Sequence, residues 1–270
     1  AHCSADGWAD PNFGVADANA LENEEQVGLM IGNCCQSNVF NGLTCFGEAL
    51  LRNSKGGAVG YIGGSNNTLW DEDYYWGVGN GPVSANPTYE ETSSAAYDCT
   101  FHENGEQEEG WTLTQGQLMF AGNLAVTESG SWSTQYYWEI YHLLGDPSVM
   151  TYYGVPSPLT INHSEALLVG SSSLLVNAEP YTYVALNQAG QLLDASYTDA
   201  SGSVLFNFDP LSSVDNLEVV ATKQNKQPYI GSITMMSPDS PFVSFNDLVV
   251  NDTTANGNGI IENGESFSLD

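Results

Sequence analysis

Positive charge is what this sequence has least of. Four Lys and Arg stand against 33 Asp and Glu, a formal net charge of −29. A surface this acidic repels phosphate backbones and anionic membranes, which sets nucleic acid and membrane surfaces aside as partners. It attracts cations, including basic peptides and calcium, and it equally suits solubility in a salty medium. Long apolar runs are missing too: no stretch approaches the about 18 apolar residues of a membrane-crossing helix. Cysteines are few, namely Cys3, Cys34, Cys35, Cys45 and Cys99. None forms a CxxC pair, which argues against a zinc or iron–sulfur centre. Their number is odd, so at least one thiol is free or pairs outside the chain. Cys34 and Cys35, as neighbours, are not expected to bridge each other, and the redox compartment is left open.

The most informative stretch is Val27 to Gln36, VGLMIGNCCQ. An apolar run stops abruptly at Asn33-Cys34-Cys35. Short apolar runs bounded by Gly and polar residues read as buried strands of a parallel sheet. Open parallel sheets place their chemistry at the carboxyl ends of the strands. A cysteine there is a candidate nucleophile, and His2, in AHCSADGWADP, is its candidate base. The chain between them is long enough for one connection between neighbouring parallel strands. The bland alternatives are a core cysteine and an inert terminal histidine, and Cys34 reads as core.

Thr44 to Lys55 has an apolar face at Phe46, Ala49 and Leu50 and predicts an amphipathic helix, ended by Gly56-Gly57. Ala58 to Gly63 then reads as the next buried strand, completing a βαβ unit. Gly64 to Gly77, GSNNTLWDEDYYWG, reads as a loop at the end of that strand. Trp111–Val126 and Ser133–Leu144 read as two more helices. The second carries an aromatic band, Tyr136 to Leu144, expected to face the core. From about Tyr152 the pattern changes to short alternating runs with hairpin-type turns at Gln188-Ala189-Gly190 and Asp199-Ala200-Ser201-Gly202. About seven short strands in roughly 80 residues suggest an immunoglobulin-type β-sandwich. The expected division is 1–154 for the α/β part, 155–236 for the sandwich, and 237–270 for a linker and the start of a further β-domain. No signal peptide is visible. Ala1 leaves no room for a strand to carry His2, and SFSLD ends within an alternating run, so the sequence reads as a piece of a longer protein.

AHCSADGWADP, IGNCCQSNVFNGLTCFGEALLR, GAVGYIGGSNNTLWDEDYYWGVG and LLGDPSVM together resemble the gingipain family of secreted cysteine peptidases, most closely its lysine-specific branch. The resemblance covers residues 1 to about 235. It implies an α/β caspase-like catalytic domain with a parallel sheet, present here only in its second half, followed by an all-β immunoglobulin-like sandwich. It implies a dyad of His2 as general base and Cys35 as nucleophile, acting on protein or peptide substrates with basic residues at the cell surface or outside it. The upstream half of the same polyprotein becomes a partner. No cofactor is implied for catalysis. A thiolate attacks the peptide carbonyl, and the imidazole takes the thiol proton and later gives it to the leaving amine. The oxyanion then needs two N–H donors, those of Cys35 and of the residue after the histidine. The family has Gly at that second place. Here it is Cys3, which keeps the donor but not the backbone freedom of Gly, and which can be oxidised or pair with another thiol.

The resemblance further implies that Asp73 closes the S1 pocket, with Trp70 flanking it and Asn33 near its wall. A buried carboxylate facing an ammonium selects a P1 Lys. The alternative is that Asp71, Glu72 and Asp73 form a solvated acidic turn. Structural calcium is implied near Glu48 and the Phe40 carbonyl. Asp252–Glu265 resembles a calcium loop but has Asn263 where an EF-hand needs Glu, and it reads equally well as a Gly/Asn turn. Two other readings compete with the Lys-directed peptidase. One is a sortase-type relative that processes secreted proteins. The other is an inactive, adhesin-like surface protein that keeps the fold, favoured by the Cys3 replacement and opposed by retention of His2 and Cys35.

Overall fold

The structure is a computed structural model that describes residues 2–24, 26–92, 95–97, 111–237, 250–251, 260 and 268–269. Two compact units divide it: residues 1–160 with 222–228, and residues 161–221 with 229–270. Cys99, all of the Asp252–Glu265 loop but residue 260, and most of the 237–270 segment lie outside the described residues.

In the first unit the chain opens with a small antiparallel sheet of β1 (Cys3–Ser4), β2 (Gly7–Ala9) and β3 (Asn12–Gly14), then a short helix α1 (Val15–Ala20). A separate sheet in the order β4-β5-β6 follows, from Leu29–Gly32, Gly60–Gly64 and Tyr141–Gly145. β4 pairs with β5 in parallel, Leu29 opposite Gly60, with α2 (Phe46–Arg52) between them in sequence. The predicted βαβ unit is therefore present. β6 runs antiparallel to β5, so the sheet is mixed rather than parallel throughout. His2 is not carried by a strand beside β4. It precedes β1 in the separate hairpin sheet, and among the described residues no strand covers the free edge of β4.

Two other expectations are corrected. Trp70–Gly77 is a helix, α3, not a loop. Its first turn carries Asp71, Glu72 and Asp73, which suit the positive end of a helix, but it lacks a clean apolar stripe. After α4 (Tyr89–Thr92) and α5 (Gln115–Glu128), the predicted Ser133–Leu144 helix splits into α6 (Thr134–Ile140) and strand β6. The β-prone Tyr141-His142-Leu143-Leu144 pairs with β5 instead of continuing the helix.

Among the described residues, two clusters hold this unit. Ile62, Trp76, Leu118, Val126, Tyr137 and Tyr141 pack between β5, α3, α5, α6 and β6. Phe46, Leu50, Ala49, Tyr61 and Ala18 form the other, with Trp8 and Phe13 of the hairpin sheet packed against it. Trp8 and Phe13 stand 5.5 and 5.7 Å from the Phe46 ring, so one end of the hairpin sheet is seated on α2.

The second unit is all β. Three strands, Ile161–His163, Ser173–Ala178 and Ser203–Asn207, form one sheet. Ala166–Leu168, Tyr183–Gln188, Gln191–Tyr197, Leu217–Thr222 and Tyr229–Met236 form the other. Alternate side chains, such as Leu174, Val176, Val184, Leu186, Phe206, Leu217, Val219 and Ile233, are buried, as the period of two requires. The predicted turn at Ala189-Gly190 takes φ of 51° and 77°, the left-handed pair that a two-residue hairpin turn needs.

Candidate active site

Cys35 follows directly from the tip of β4. Cys34 N–H turns back to the Gly32 carbonyl at 2.8 Å, ending the strand, and Gln36 takes a left-handed φ of 58°. That conformation costs a non-glycine residue on the order of 1 kcal/mol or more, so its neighbours must hold it. They do: Gln36 N–H donates to Asn66 O at 3.0 Å and its Nε2 to Asn67 Oδ1 at 2.9 Å. Buried Asn38 then pins the turn to the sheet, its N–H on Gly64 O and its Nδ2 on His142 O. The Cys35 sulfur projects from this turn as a half-buried free thiol. Thr68 N–H points at it from 3.3 Å, a donor placed to stabilise charge on sulfur. Among the described residues no hydrogen bond uses the Cys35 N–H.

His2 arrives from the other side, exposed and edge-on to Trp70 at 5.8 Å between ring centroids. No hydrogen bond joins its imidazole to the thiol, but both line one cavity of about 270 Å³ together with Asn33, Thr68, Trp70 and Asp73. The structure thus brings together five of the six residues that the sequence singles out for the reaction and the pocket; the sixth, Cys3, is the residue next to His2. Ala9 N–H bonds to His2 O at 2.9 Å, which makes that pair hydrogen-bonded; the next pair, Cys3 opposite Trp8, is then of the non-bonded kind. In such a pair the N–H points away from the partner strand, so the Cys3 donor is not consumed by β2. The Cys3 side chain is in a disulfide with Cys34, with Cα atoms 5.6 Å apart. Cys34 is therefore buried, as expected, but bonded rather than a plain core residue.

Asp73 lies on the first turn of α3, and its carboxylate is not a solvated turn. Thr68 Oγ1 donates to Oδ2 at 2.6 Å, and the Tyr137 and Tyr141 hydroxyls each lie 2.8 Å from Oδ1. Asn33 Nδ2 donates to the Asp73 backbone carbonyl at 2.7 Å, tying the tip of β4 to α3, and the Tyr141 hydroxyl also reaches Asn33 Oδ1. Tyr141 has one hydrogen for two acceptors, so it serves one at a time. Burial pushes the Asp73 carboxyl above its usual range, against the pull of the Thr68, Tyr141 and Tyr137 hydroxyls. Burial also raises Tyr137 and Tyr141, and the Asp73 charge adds to it. Tyr137 and Tyr141 stack at 5.3 Å and Tyr141 stacks on Trp76 at 5.0 Å, which fixes the hydroxyls in place. Thr68, Tyr137 and Tyr141 escaped sequence reasoning; the aromatic band was visible, and its core-facing role is real, but nothing in it signalled a carboxylate partner.

Elsewhere, Glu48 Oε2 accepts the Cys45 N–H at 3.0 Å and so caps α2, while Phe40 is exposed. Among the described residues no group of three His, Cys, Asp or Glu side chains forms a metal cluster, and no helix is long and apolar enough to cross a membrane.

A family model for peptidase family C25 matches residues 1–152. Lys-gingipain of Porphyromonas gingivalis is 37% identical over 257 residues, which cover 92% of this chain and 14% of that protein. Gingipain R1 of Porphyromonas gingivalis is 21% identical over 252 residues, 92% of this chain and 24% of that protein. A solved protease structure superposes with a TM-score of 0.79 at 37% identity, covering 87% of this chain and 52% of that one. The Arg-specific cysteine proteinase gingipain R shares the fold at 17% identity, with a TM-score of 0.73 over 87% of this chain and 51% of that one.

Proposed function

Since the chain belongs to peptidase family C25, the gingipain family of cysteine peptidases, we propose that it carries the reacting part of a secreted or surface endopeptidase that cuts after basic residues, Lys before Arg. The observation that carries this reading is the cavity in which a free thiol, an imidazole and a half-buried, hydrogen-bonded carboxylate meet. His2 takes the proton of Cys35, and the thiolate adds to the carbonyl carbon of the scissile bond. The oxyanion is met by the N–H groups of Cys35 and Cys3. Collapse of this intermediate breaks the C–N bond, His2 protonates the departing amine, and water then hydrolyses the thioester. Asp73 faces the P1 ammonium, Trp70 flanks it, and Asn33 holds the wall. The upstream half of the polyprotein completes the catalytic domain. The free edge of β4 is suited to receive it, and an apolar cavity of about 290 Å³ beside Leu29 and Ile31 is lined by the buried Gln115, whose amide has no partner there. The second unit is read as an immunoglobulin-type sandwich. Calcium at Glu48 and Phe40 would be structural and takes no part in these steps.

The outward Cys3 N–H weighs against the inactive adhesin reading, because the replacement of Gly keeps the donor. The acidic pocket weighs against the sortase-type reading. The test is turnover of Lys and Arg esters by the full-length protein with and without a thiol alkylator. Lys esters are hydrolysed faster than Arg esters, alkylation stops both, and Cys35→Ala lowers kcat by at least about a thousandfold. A folded protein that turns over neither ester ends the proposal.

A further inference from the structure

The two reacting residues are held very differently from the pocket wall. Apart from the edge-on contact with the exposed Trp70 and the Ala9–His2 backbone bond, His2 has little to fix it. The hairpin sheet is anchored at its other end, by Trp8 and Phe13 on Phe46 and by Phe46 N–H on the Ala5 carbonyl at 2.8 Å. At the His2 end the covalent tie is the disulfide. It joins the residue after the base to the residue before the nucleophile, across a sequence separation of 31. With Cα atoms of Cys3 and Cys34 5.6 Å apart, and each neighbour one 3.8 Å step away, the Cα atoms of His2 and Cys35 lie within about 13 Å of each other. The same bridge fixes the residue that bears one oxyanion donor beside the residue that bears the other.

We infer that the Cys3–Cys34 disulfide is a positioning clamp for the dyad and the oxyanion donors, so that reductant acts on this enzyme in two opposite directions. The inference rests on the peptidase reading above. A small thiol or dithiol frees Cys35 from any oxidised cap, reducing that cap while the reductant is oxidised. A dithiol in excess also breaks the Cys3–Cys34 S–S bond: two electrons and two protons pass to the cysteines, and the dithiol leaves as its own cyclic disulfide. Opening the clamp releases the His2 end of the hairpin. The pocket wall stays, because Asp73, Tyr137 and Tyr141 belong to α3, α6 and β6, which the disulfide does not hold, and because Asn33, although it precedes Cys34, keeps its own bond to the Asp73 carbonyl. The loss therefore falls on kcat and spares KM.

The experiment is a dithiothreitol titration of the full-length protein on a Lys amide substrate. kcat and KM are measured at each step, and the state of Cys3 and Cys34 is read by alkylation and peptide mass spectrometry. We expect kcat to rise, then fall about tenfold or more as Cys3 and Cys34 become alkylable, with KM within about twofold; complete loss of one oxyanion donor sets the scale at about 10² to 10³. The double variant Cys3→Gly/Cys34→Ala loses the falling limb, and its response to reductant only rises. An unchanged kcat in wild-type protein whose Cys3 and Cys34 are both alkylated overturns the clamp even if the double variant fails to fold. Turnover that ignores the bridge thus removes the clamp alone, whereas absence of turnover at every reductant level removes the peptidase reading and the clamp with it.

Discussion

The cavity has two ends built on opposite principles. At the Asp73 end, the carboxylate has three hydroxyls within hydrogen-bond reach and is backed by the stacked rings of Tyr137, Tyr141 and Trp76. At the reacting end, an exposed imidazole and a half-buried thiol share no hydrogen bond. The difference suits what the proposed reaction asks of each end. A carboxylate that selects a charge has to be held dry and still, where Coulomb attraction is strong. A base that both receives and returns a proton needs freedom to move between sulfur and amine, and catalytic contacts often tighten only when substrate arrives.

The sharpest way to break the comparison is Asp73→Asn. It leaves the thiol and imidazole untouched, so kcat/KM for a Lys amide should fall by about 10² to 10³, as expected when a buried charge partner is lost, while alkylation of Cys35 by iodoacetamide proceeds at the wild-type rate. Equal loss of both would mean that the two ends are one structure. Tyr141→Phe is gentler. It removes one hydroxyl from a charged acceptor, worth about 1.5–3 kcal/mol, so kcat/KM falls roughly ten- to a hundredfold. The same change pushes Asp73 higher still, and the acid limb of kcat/KM for Lys substrates moves to higher pH, which a pH–rate profile resolves.

Stability offers a third contrast. The folded-state pKa of Asp73 is raised above its unfolded value, mainly by burial, so its contribution to stability is fully present below the unfolded pKa and is lost as pH rises through the folded one. Thermal unfolding should therefore show wild type losing ground to Asp73→Asn as pH rises through that window, with the two curves drawing apart again in favour of wild type toward acid. A gap that does not change with pH would contradict a buried carboxylate. The smallest effect is expected at Trp70→Ala. The ring is 75% exposed, and its edge contact with His2 is worth about 0.5–1.5 kcal/mol. kcat should drop about three- to tenfold with Tm nearly unchanged.

These ends also differed in how legible they were. The strand that stops at Asn33-Cys34-Cys35 was legible as a local signal, whereas the roles proposed for His2 and Cys35 came from the resemblance of their flanking motifs. The β4–α2–β5 order and the Ala189-Gly190 hairpin were legible for the same reason: Gly-bounded apolar runs and turn pairs act within a few residues. The wall around Asp73 brings in Asn33 from 40 residues upstream and Tyr137 and Tyr141 from 64 and 68 residues downstream, and each tyrosine looks like ordinary core until the fold brings the carboxylate to it. Helix α3 was hidden because WDEDYYW lacks a clean apolar face, and β6 because an aromatic band suits helix and strand alike. Nor does a set of five cysteines say which two will meet.

Lys55 forms an exposed ion pair with Glu22 at 3.0 Å, and it sits between α2 and β5. Of the four cationic residues in the chain, Arg52 and Lys55 stand here and Lys223 and Lys226 stand together far downstream. Under the proposed specificity, a neighbouring molecule of this protein would thus find two places to cut. A nick after Lys55 would put the Cys35 sulfur and the His2 imidazole on one fragment and the Asp73 carboxylate on the other. The ladder from Leu29–Gly60 to Gly32–Gly63 would still hold the halves side by side, so a preparation that runs as two bands on a denaturing gel would be expected to keep this cavity whole.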